Sequence, residues 1–257
     1  MNQATALFAH ALNMLLLAPA TTIRVILPAV LWVLGAAAVA GVMAEDALHA
    51  MHGAMNDSTP PPMDQLLVLL ACGIAGILGY ALMAVLWHRY VLLDRDAPHA
   101  VLRPGMAIYW GYIWRAIVLG FAQFLAAIPI GLAMMLVSGL TGSSTAALML
   151  IGLVAGVAFL WVALRLSLVL PAAALGRVMP IRESWQATAA LAGPLWALAV
   201  LLAVVNTLLG VISGVLLPDD PGVRLLLDST LYIIEGLVFV SVLSTLYGHL
   251  IEGRALS

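Results

Sequence analysis

The sequence predicts an all-α protein, an integral membrane bundle of six transmembrane helices. The 257-residue chain is 64% hydrophobic and only 9% charged, whereas soluble domains are roughly a quarter charged. Six apolar stretches also come close to the about 20 residues that a helix needs to cross a bilayer. Because the connecting segments are short, we expect residues 1–257 to form a single multi-pass membrane domain.

The six predicted spans follow one another along the chain. The hydrocarbon core offers the backbone no hydrogen-bond partners, so each span must be helical. We place the spans at residues 25–43, 66–86, 117–136, 146–164, 195–217 and 230–250. Short interfacial amphipathic helices are predicted before the first, third and fifth spans, at residues 4–17, 106–114 and 181–192. Landmarks at the span ends further suggest three helical hairpins.

Two glycine pairs lie at helical spacing inside predicted spans. Gly152 and Gly156 belong to the fourth span, and Gly210 and Gly214 belong to the fifth. Small residues at this spacing let helix backbones approach each other closely. We therefore predict that both pairs are packing surfaces within the bundle.

The basic residues are distributed asymmetrically. All ten are arginine, and every one except Arg224 lies on the same side of the six spans. Arginine is enriched in cytoplasmic loops, so both termini are predicted to be cytoplasmic. Aromatic residues concentrate at the same predicted interface: Trp87, Tyr90, Tyr109, Trp110, Tyr112, Trp114, Trp161, Trp185, Trp196 and Tyr247.

Glu235 is the sharpest candidate for a functional group inside the membrane. It lies about six residues, or ~9 Å, inside the predicted outer boundary. Asp228 and Tyr232 share its helical face, and Asn206 is the most plausible polar neighbour. The face either binds a proton or cation, or holds two helices together through Asn206 or Thr207. We favour the second, because transport routes normally carry several intramembrane ionisable groups. Another polar residue inside a span, Gln123, is interpreted as an interhelical contact.

The arginines at the inner face are candidates for contact with lipid headgroups or with a partner. Guanidinium groups bind phosphate well, and the cytoplasmic leaflet is anionic. The candidates are Arg89, Arg95, Arg103, Arg115 and Arg165.

Metal and cofactor chemistry is only weakly indicated. Glu45, Asp46, His49 and His52 would share one face of a protruding helix, and carboxylate and imidazole can bind zinc. A solvated polar face explains the pattern more simply, so no metal site is predicted. Cys72 is alone, and the chain has no phosphate-binding loop, dinucleotide fingerprint or basic nucleic-acid-binding domain. Neither a cofactor nor a nucleic-acid partner is expected.

Two stretches carry a family resemblance. They are WHRYVLL at residues 87–93, and LRLSLVLPAAA at residues 164–174 followed by ESWQAT at residues 183–188. They resemble a bacterial family of uncharacterised multi-helix inner-membrane proteins, which is similar to the membrane domain attached to some glycerophosphoryl diester phosphodiesterases. The resemblance implies a bacterial inner-membrane module. It carries over no catalytic residue, because the catalytic domain of those enzymes has no counterpart in this chain.

These observations lead to a functional expectation. We expect a non-enzymatic membrane protein that interacts with anionic lipids or with a membrane or cytoplasmic protein. The alternative is a component of a small-solute or ion transporter with an outward-facing cavity around Glu235. A lipid enzyme that binds headgroups through Arg89, Arg95 and Arg165 is the third possibility.

Overall fold

The computed structural model describes residues 3–53, 60–93, 103–141 and 145–256. Within these ranges the chain contains helices and no β-strand, which confirms the predicted all-α class. The α-helices are α1 (Gln3–Leu16), α2 (Pro19–Met43), α3 (Glu45–Gly53), α4 (Met63–Leu92), α5 (Met106–Thr141), α6 (Thr145–Leu166), α7 (Val169–Ala174), α8 (Ile181–Ala187), α9 (Ala192–Leu216) and α10 (Pro221–Leu250). A 3₁₀ helix at Ala189–Leu191 links α8 to α9.

Within the described ranges, six helical segments are long and apolar enough to cross a membrane. They are Pro19–Met43, Met63–Leu92, Met106–Gly139, Leu150–Ala174, Ala189–Leu216 and Pro221–Leu250. Most extend beyond the predicted spans because polar flanking residues continue the helix. In α10, Asp220 accepts a hydrogen bond from the Val223 amide at 2.8 Å, and Pro221 suits the first helical turn. This start lies nine residues before the predicted one.

The predicted interfacial helices have different outcomes. Residues 106–114 are the beginning of α5, whereas α1 and α8 are separate helices. The α1 helix buries Ala4, Leu7 and Ala11 and packs against α9 and α10. Its apolar face therefore contacts protein, and its location at a membrane surface stays a prediction.

The six long helices form two groups of three. One group contains α2, α4 and α10, and the other contains α5, α6 and α9. The first two predicted hairpins, α2 with α4 and α5 with α6, are closely packed pairs. The third is divided, because α9 contacts α6 much more extensively than it contacts α10.

The best-buried core lies at the end of the bundle that carries most of the arginines, which we call the arginine-rich end. We call the opposite end, with Glu45, Asp46 and Asp219, the acidic end. At the arginine-rich end, α4 is linked to the end of α7 by a hydrogen bond in which Arg89 Nη1 donates to the Ala174 carbonyl at 3.0 Å. Fully buried side chains of this core include Trp87, Leu164, Leu195, Leu198, Leu243, Leu246 and Tyr247.

Close helix contacts occur at other glycines than the predicted ones. A Cβ atom at Gly79 of α4 would lie 2.6 Å from Val33 Cγ2 of α2, so only glycine fits there. No described atom lies within 4 Å of a Cβ added at Gly152, Gly156, Gly210 or Gly214. The prediction that these two pairs are packing surfaces is therefore wrong.

Candidate functional site

A cleft with a volume of 1110 Å³ separates the two helix groups. Residues of α5, α6 and α9 line one side, residues of α10 line the other, and Leu170 of α7 contributes at the arginine-rich end. Its volume slightly exceeds the range of about 300–1,000 Å³ typical of small-molecule sites. Most of its wall is apolar and includes Leu119, Phe159, Leu160, Leu202, Val238 and Phe239.

Five polar side chains of the described residues line this cleft. Asn206 Nδ2 of α9 donates to Glu235 Oε1 of α10 at 2.6 Å, so the structure brings these two predicted residues together. Thr207, Tyr232 and Gln123 line the same cleft. We call these five residues the polar cluster. They come from three helices, α5, α9 and α10.

The polar cluster lies near the middle of the helices. Glu235 follows Pro221 by 14 residues in a helix of 30 residues, which places it about 21 Å from the helix start at 1.5 Å per residue. Glu235 thus lies farther from the start of its helix than the predicted span start implied, because α10 begins nine residues earlier than the hydropathy indicated. Asn206 is likewise the fifteenth of the 25 residues of α9.

The cluster has a defined hydrogen-bonding character. Glu235 supplies acceptors, and amide and hydroxyl groups supply both donors and acceptors. Among the described residues that line the cleft, none is Lys, Arg, His, Ser or Cys. The described lining therefore offers no cationic side chain to an anion. Such an arrangement can bind and orient a ligand.

Asp228 is engaged elsewhere. Its carboxylate accepts a hydrogen bond from Ser213 Oγ of α9 and pairs with Arg224 Nε at 3.7 Å. Arg224 Nη2 also donates to the Ser213 carbonyl at 3.4 Å. These three residues join α9 to α10 at the acidic end. Only Tyr232 and Glu235 of the predicted polar face line the cleft.

The structure places the predicted headgroup arginines in different environments. Arg89 and Arg165 are only 7% and 5% exposed, and both donate to protein groups. Arg115 Nη1 donates to the Gly111 carbonyl one turn earlier, at 3.1 Å. Arg103 is exposed, and Arg95 lies outside the described residues.

Arg165 lies in an aromatic cage that the sequence did not indicate. Its guanidinium carbon is 3.9 Å from the ring centroid of Trp185 and 5.2 Å from that of Trp161. Nε donates to Thr188 Oγ1 at 2.8 Å, and Nη2 donates to the Trp185 carbonyl at 2.7 Å. The cage fixes α8 against the end of α6, because its members come from both helices and the turn that follows.

A second cavity, of 570 Å³, lies at the arginine-rich end. Its polar lining includes His10, Asn13, Tyr90, His249 and Arg254. Sequence reasoning missed it because α1 and the residues after α10 are far apart in the chain. The sequence did contain a signal for this cavity: His10, His249 and Arg254 all lie in segments that are predicted at the same membrane interface.

Arg177 lies near this end, outside the spans. It forms a 3.4 Å hydrogen bond to the Tyr247 hydroxyl and an ion pair with Glu252 at 3.6 Å. The hydrogen bond to Tyr247 raises the pKa of Arg177 most, and electrostatic interactions with Tyr247 and Glu252 add to the increase.

The weak metal candidates do not assemble in the part of the chain that the structure describes. No group of three or more His, Cys, Asp or Glu residues is placed there to hold an ion. Asp46 instead accepts from Gln65 Nε2 at 2.8 Å, and His49 Nδ1 lies 2.9 Å from the Glu45 carbonyl. The side chain of His52 is outside the described set.

No protein family, curated protein or solved structure matches this chain. The resemblance to the inner-membrane family thus stays a prediction.

Proposed function

We propose that this is a non-enzymatic membrane protein whose cleft binds an uncharged, lipid-like molecule with a small hydroxyl-bearing head. The observation that carries the proposal is the long apolar wall of the cleft, interrupted at mid-depth by the polar cluster around Glu235 and Asn206.

The apolar wall fits a hydrocarbon chain. A chain that lies along Leu119, Phe159 and Phe239 would be held by close packing, as in helix association within membranes. The helix α5, which lines the cleft, also carries exposed apolar side chains that can face lipid: Phe121 and Phe124 are each 63% exposed. A ligand already dissolved in the bilayer therefore has only a short path to the site.

The polar cluster selects the head. A hydroxyl group donates to Glu235 and accepts from the amide of Gln123 or the hydroxyl of Tyr232. A phosphate head is disfavoured, because the described lining offers it no cation and Glu235 would repel it when ionised. A small uncharged head group also costs the least free energy to remove from water.

Filling the cleft is expected to abolish lipid retention. Gly156 lines the cleft, and a Cβ added there meets no described atom within 4 Å, so the side chain of Gly156→Leu occupies ligand volume. The matched control is Gly210→Leu, which also has open space but is not part of the described lining. The neutral lipid that co-purifies with each variant is measured by mass spectrometry. It should fall at least about tenfold for Gly156→Leu, which corresponds to ~1.4 kcal/mol of binding free energy, and should not fall for Gly210→Leu.

Equal neutral-lipid content in wild-type protein and the Gly156→Leu variant would contradict the proposal. Selective retention of anionic phospholipid by the wild-type protein would contradict the assigned head. Thermal unfolding of both variants serves as the folding control, since leucine has a higher helix propensity than glycine.

Transport of a proton or cation through Glu235 is the second candidate function. The mid-depth position of Glu235 favours it, because ionisable groups at this depth commonly belong to ion pathways. Glu235 is the one carboxyl group among the described cleft residues.

We further propose that the protein lies in a bacterial inner membrane with its arginine-rich end in the cytoplasm. Support comes from the arginine asymmetry. In a Cys72→Ser background, Asp219→Cys and Arg182→Cys introduce exposed thiols at opposite ends of the bundle. A membrane-impermeant maleimide added to intact cells should label Asp219→Cys alone. The reverse pattern would overturn the orientation, and lysed cells should label both.

A further inference from the structure

The geometry points to a second binding site: we infer that the 570 Å³ cavity at the arginine-rich end binds a phosphate group. The cavity lies between α1, the ends of α4 and α10, and the residues that follow α10. It is separate from the cleft, and none of the described residues that line one cavity lines the other.

The wall contributed by the residues after α10 has a fixed position. Arg254 Nη1 and Nη2 donate to the carbonyls of Val91 and Leu92 at 3.0 and 2.6 Å. Gly253 turns the chain back with a φ of 68°, a conformation that glycine adopts readily. A Cβ at Gly248 would lie 3.3 Å from Arg254 Cδ, so the segment packs closely on α10. This side of the cavity is therefore held in place by hydrogen bonds and close packing.

Its charge favours an anion. Arg254 is the one arginine among the described lining residues. It pairs with Glu252, which also pairs with Arg177 just outside the lining, so these three neighbouring side chains carry one positive charge in excess. Glu252 is not among the described lining residues, and none of those residues is Asp or Glu. The terminal carbonyls are already engaged, since Tyr247 and Gly248 accept from the amides of Ile251 and Arg254. The negative ends of α4 and α10 are thus largely satisfied.

The lining side chains can hold a phosphate group. Asn13 and Tyr90 supply an amide and a phenol as donors, and Arg254 supplies charge. His10 and His249 add imidazoles; His249 Nδ1 donates to the Arg254 carbonyl at 3.0 Å, in a bond that uses one ring nitrogen. Charge-assisted hydrogen bonds to phosphate are among the stronger ones in proteins.

Two kinds of ligand can bring a phosphate group to this cavity. Met14, Leu17 and Leu256 give the cavity an apolar side, which suits the first carbons of an anionic lipid. The alternative source is a soluble phosphate compound. Both would present the same group to His10, His249 and Arg254.

The experiment compares the double variant His10→Ala/His249→Ala with wild-type protein in nanodiscs. One arm titrates inorganic phosphate into phosphatidylcholine nanodiscs, and the other counts bound phosphatidylglycerol by native mass spectrometry. We expect the double variant to bind at least about tenfold more weakly, a loss of ~1.4 kcal/mol of binding free energy, in the arm that supplies the natural phosphate-bearing ligand. The control is His49→Ala, an exposed histidine of α3 near the acidic end, which should bind as the wild type does.

Each outcome is decisive. A loss in the lipid arm assigns a headgroup, and a loss in the phosphate arm assigns a soluble phosphate. Unchanged affinity in both arms, or no binding by the wild type in either arm, would overturn the site. Asn13→Leu is the second variant, since Asn13 is exposed and its replacement leaves the core intact. It should weaken the same arm while the melting temperature stays within the range of the wild type.

Discussion

Replacing Arg165 with alanine is expected to lower the free energy of unfolding by about 3 kcal/mol. The guanidinium is 5% exposed and donates to Thr188 and to the Trp185 carbonyl. Hydrogen bonds to charged groups contribute roughly 1.5–3 kcal/mol each, and a desolvated cation–π contact contributes up to about 2 kcal/mol. The cost of burying the charge offsets part of this sum. Unfolding in mixed detergent micelles would measure the change.

The Arg165→Lys variant tests whether the positive charge alone, or the planar shape of the guanidinium group, stabilises this site. Lysine keeps the positive charge but lacks the planar fork that lies over Trp185 while bonding to two acceptors. We expect it to recover no more than about half of the loss caused by alanine. If Arg165→Ala unfolds at the same denaturant concentration as the wild type, then the cage does not stabilise the arginine-rich end.

Replacing Gly79 with leucine is expected to disrupt the packing of α4 on α2. An added Cβ would lie 2.6 Å from Val33 Cγ2 and 2.8 Å from Trp32 Cδ1. Neither neighbour moves easily: Val33 is buried, and Trp32 Nε1 donates to the Ala75 carbonyl at 2.8 Å. Overpacking costs about 1–3 kcal/mol for extra methylenes, and a clash this close should exceed about 3 kcal/mol. The yield of folded monomer in detergent should fall accordingly.

Gly76→Leu on the same helix is the matched control. A Cβ at Gly76 meets no described atom within 4 Å, and leucine favours the helix by up to about 1 kcal/mol over glycine. Equal destabilisation by the two variants would show that bulk on α4, and not the contact with Trp32 and Val33, limits the fold.

The membrane class was predictable because it depends on local composition. Twenty apolar residues in a row specify a spanning helix without reference to any neighbour. Helix limits were less predictable, since Asp220 and Pro221 start α10 through capping chemistry that a hydropathy pattern does not contain. The same holds for α5, which continues through Trp110 and Trp114, residues interpreted as a separate surface helix.

A cavity around Glu235 was one of the alternatives on sequence grounds, but the walls of the cleft were not predictable because they depend on helix pairing. Asn206 was a plausible neighbour of Glu235 on sequence grounds, but the 2.6 Å contact requires knowing that α9 and α10 face each other there. Gly156 was interpreted as a packing residue, although it borders open space. Small residues allow either a close helix or a cavity, and only the position of the next helix decides between them.

The contacts that hold α9 against α10 differ at the two ends of the bundle. At the arginine-rich end, Leu198 and Leu243 belong to one apolar cluster. At the acidic end, Ser213 of α9 forms hydrogen bonds with Asp228 and Arg224 of α10, which also pair with each other one turn apart. Dissolved salt screens ionic contacts over about 8 Å at physiological strength, while it leaves apolar packing intact or strengthens it. The two ends of this helix pair therefore respond to different conditions: salt weakens the charge-assisted hydrogen bonds at the acidic end and leaves the apolar contact at the arginine-rich end in place.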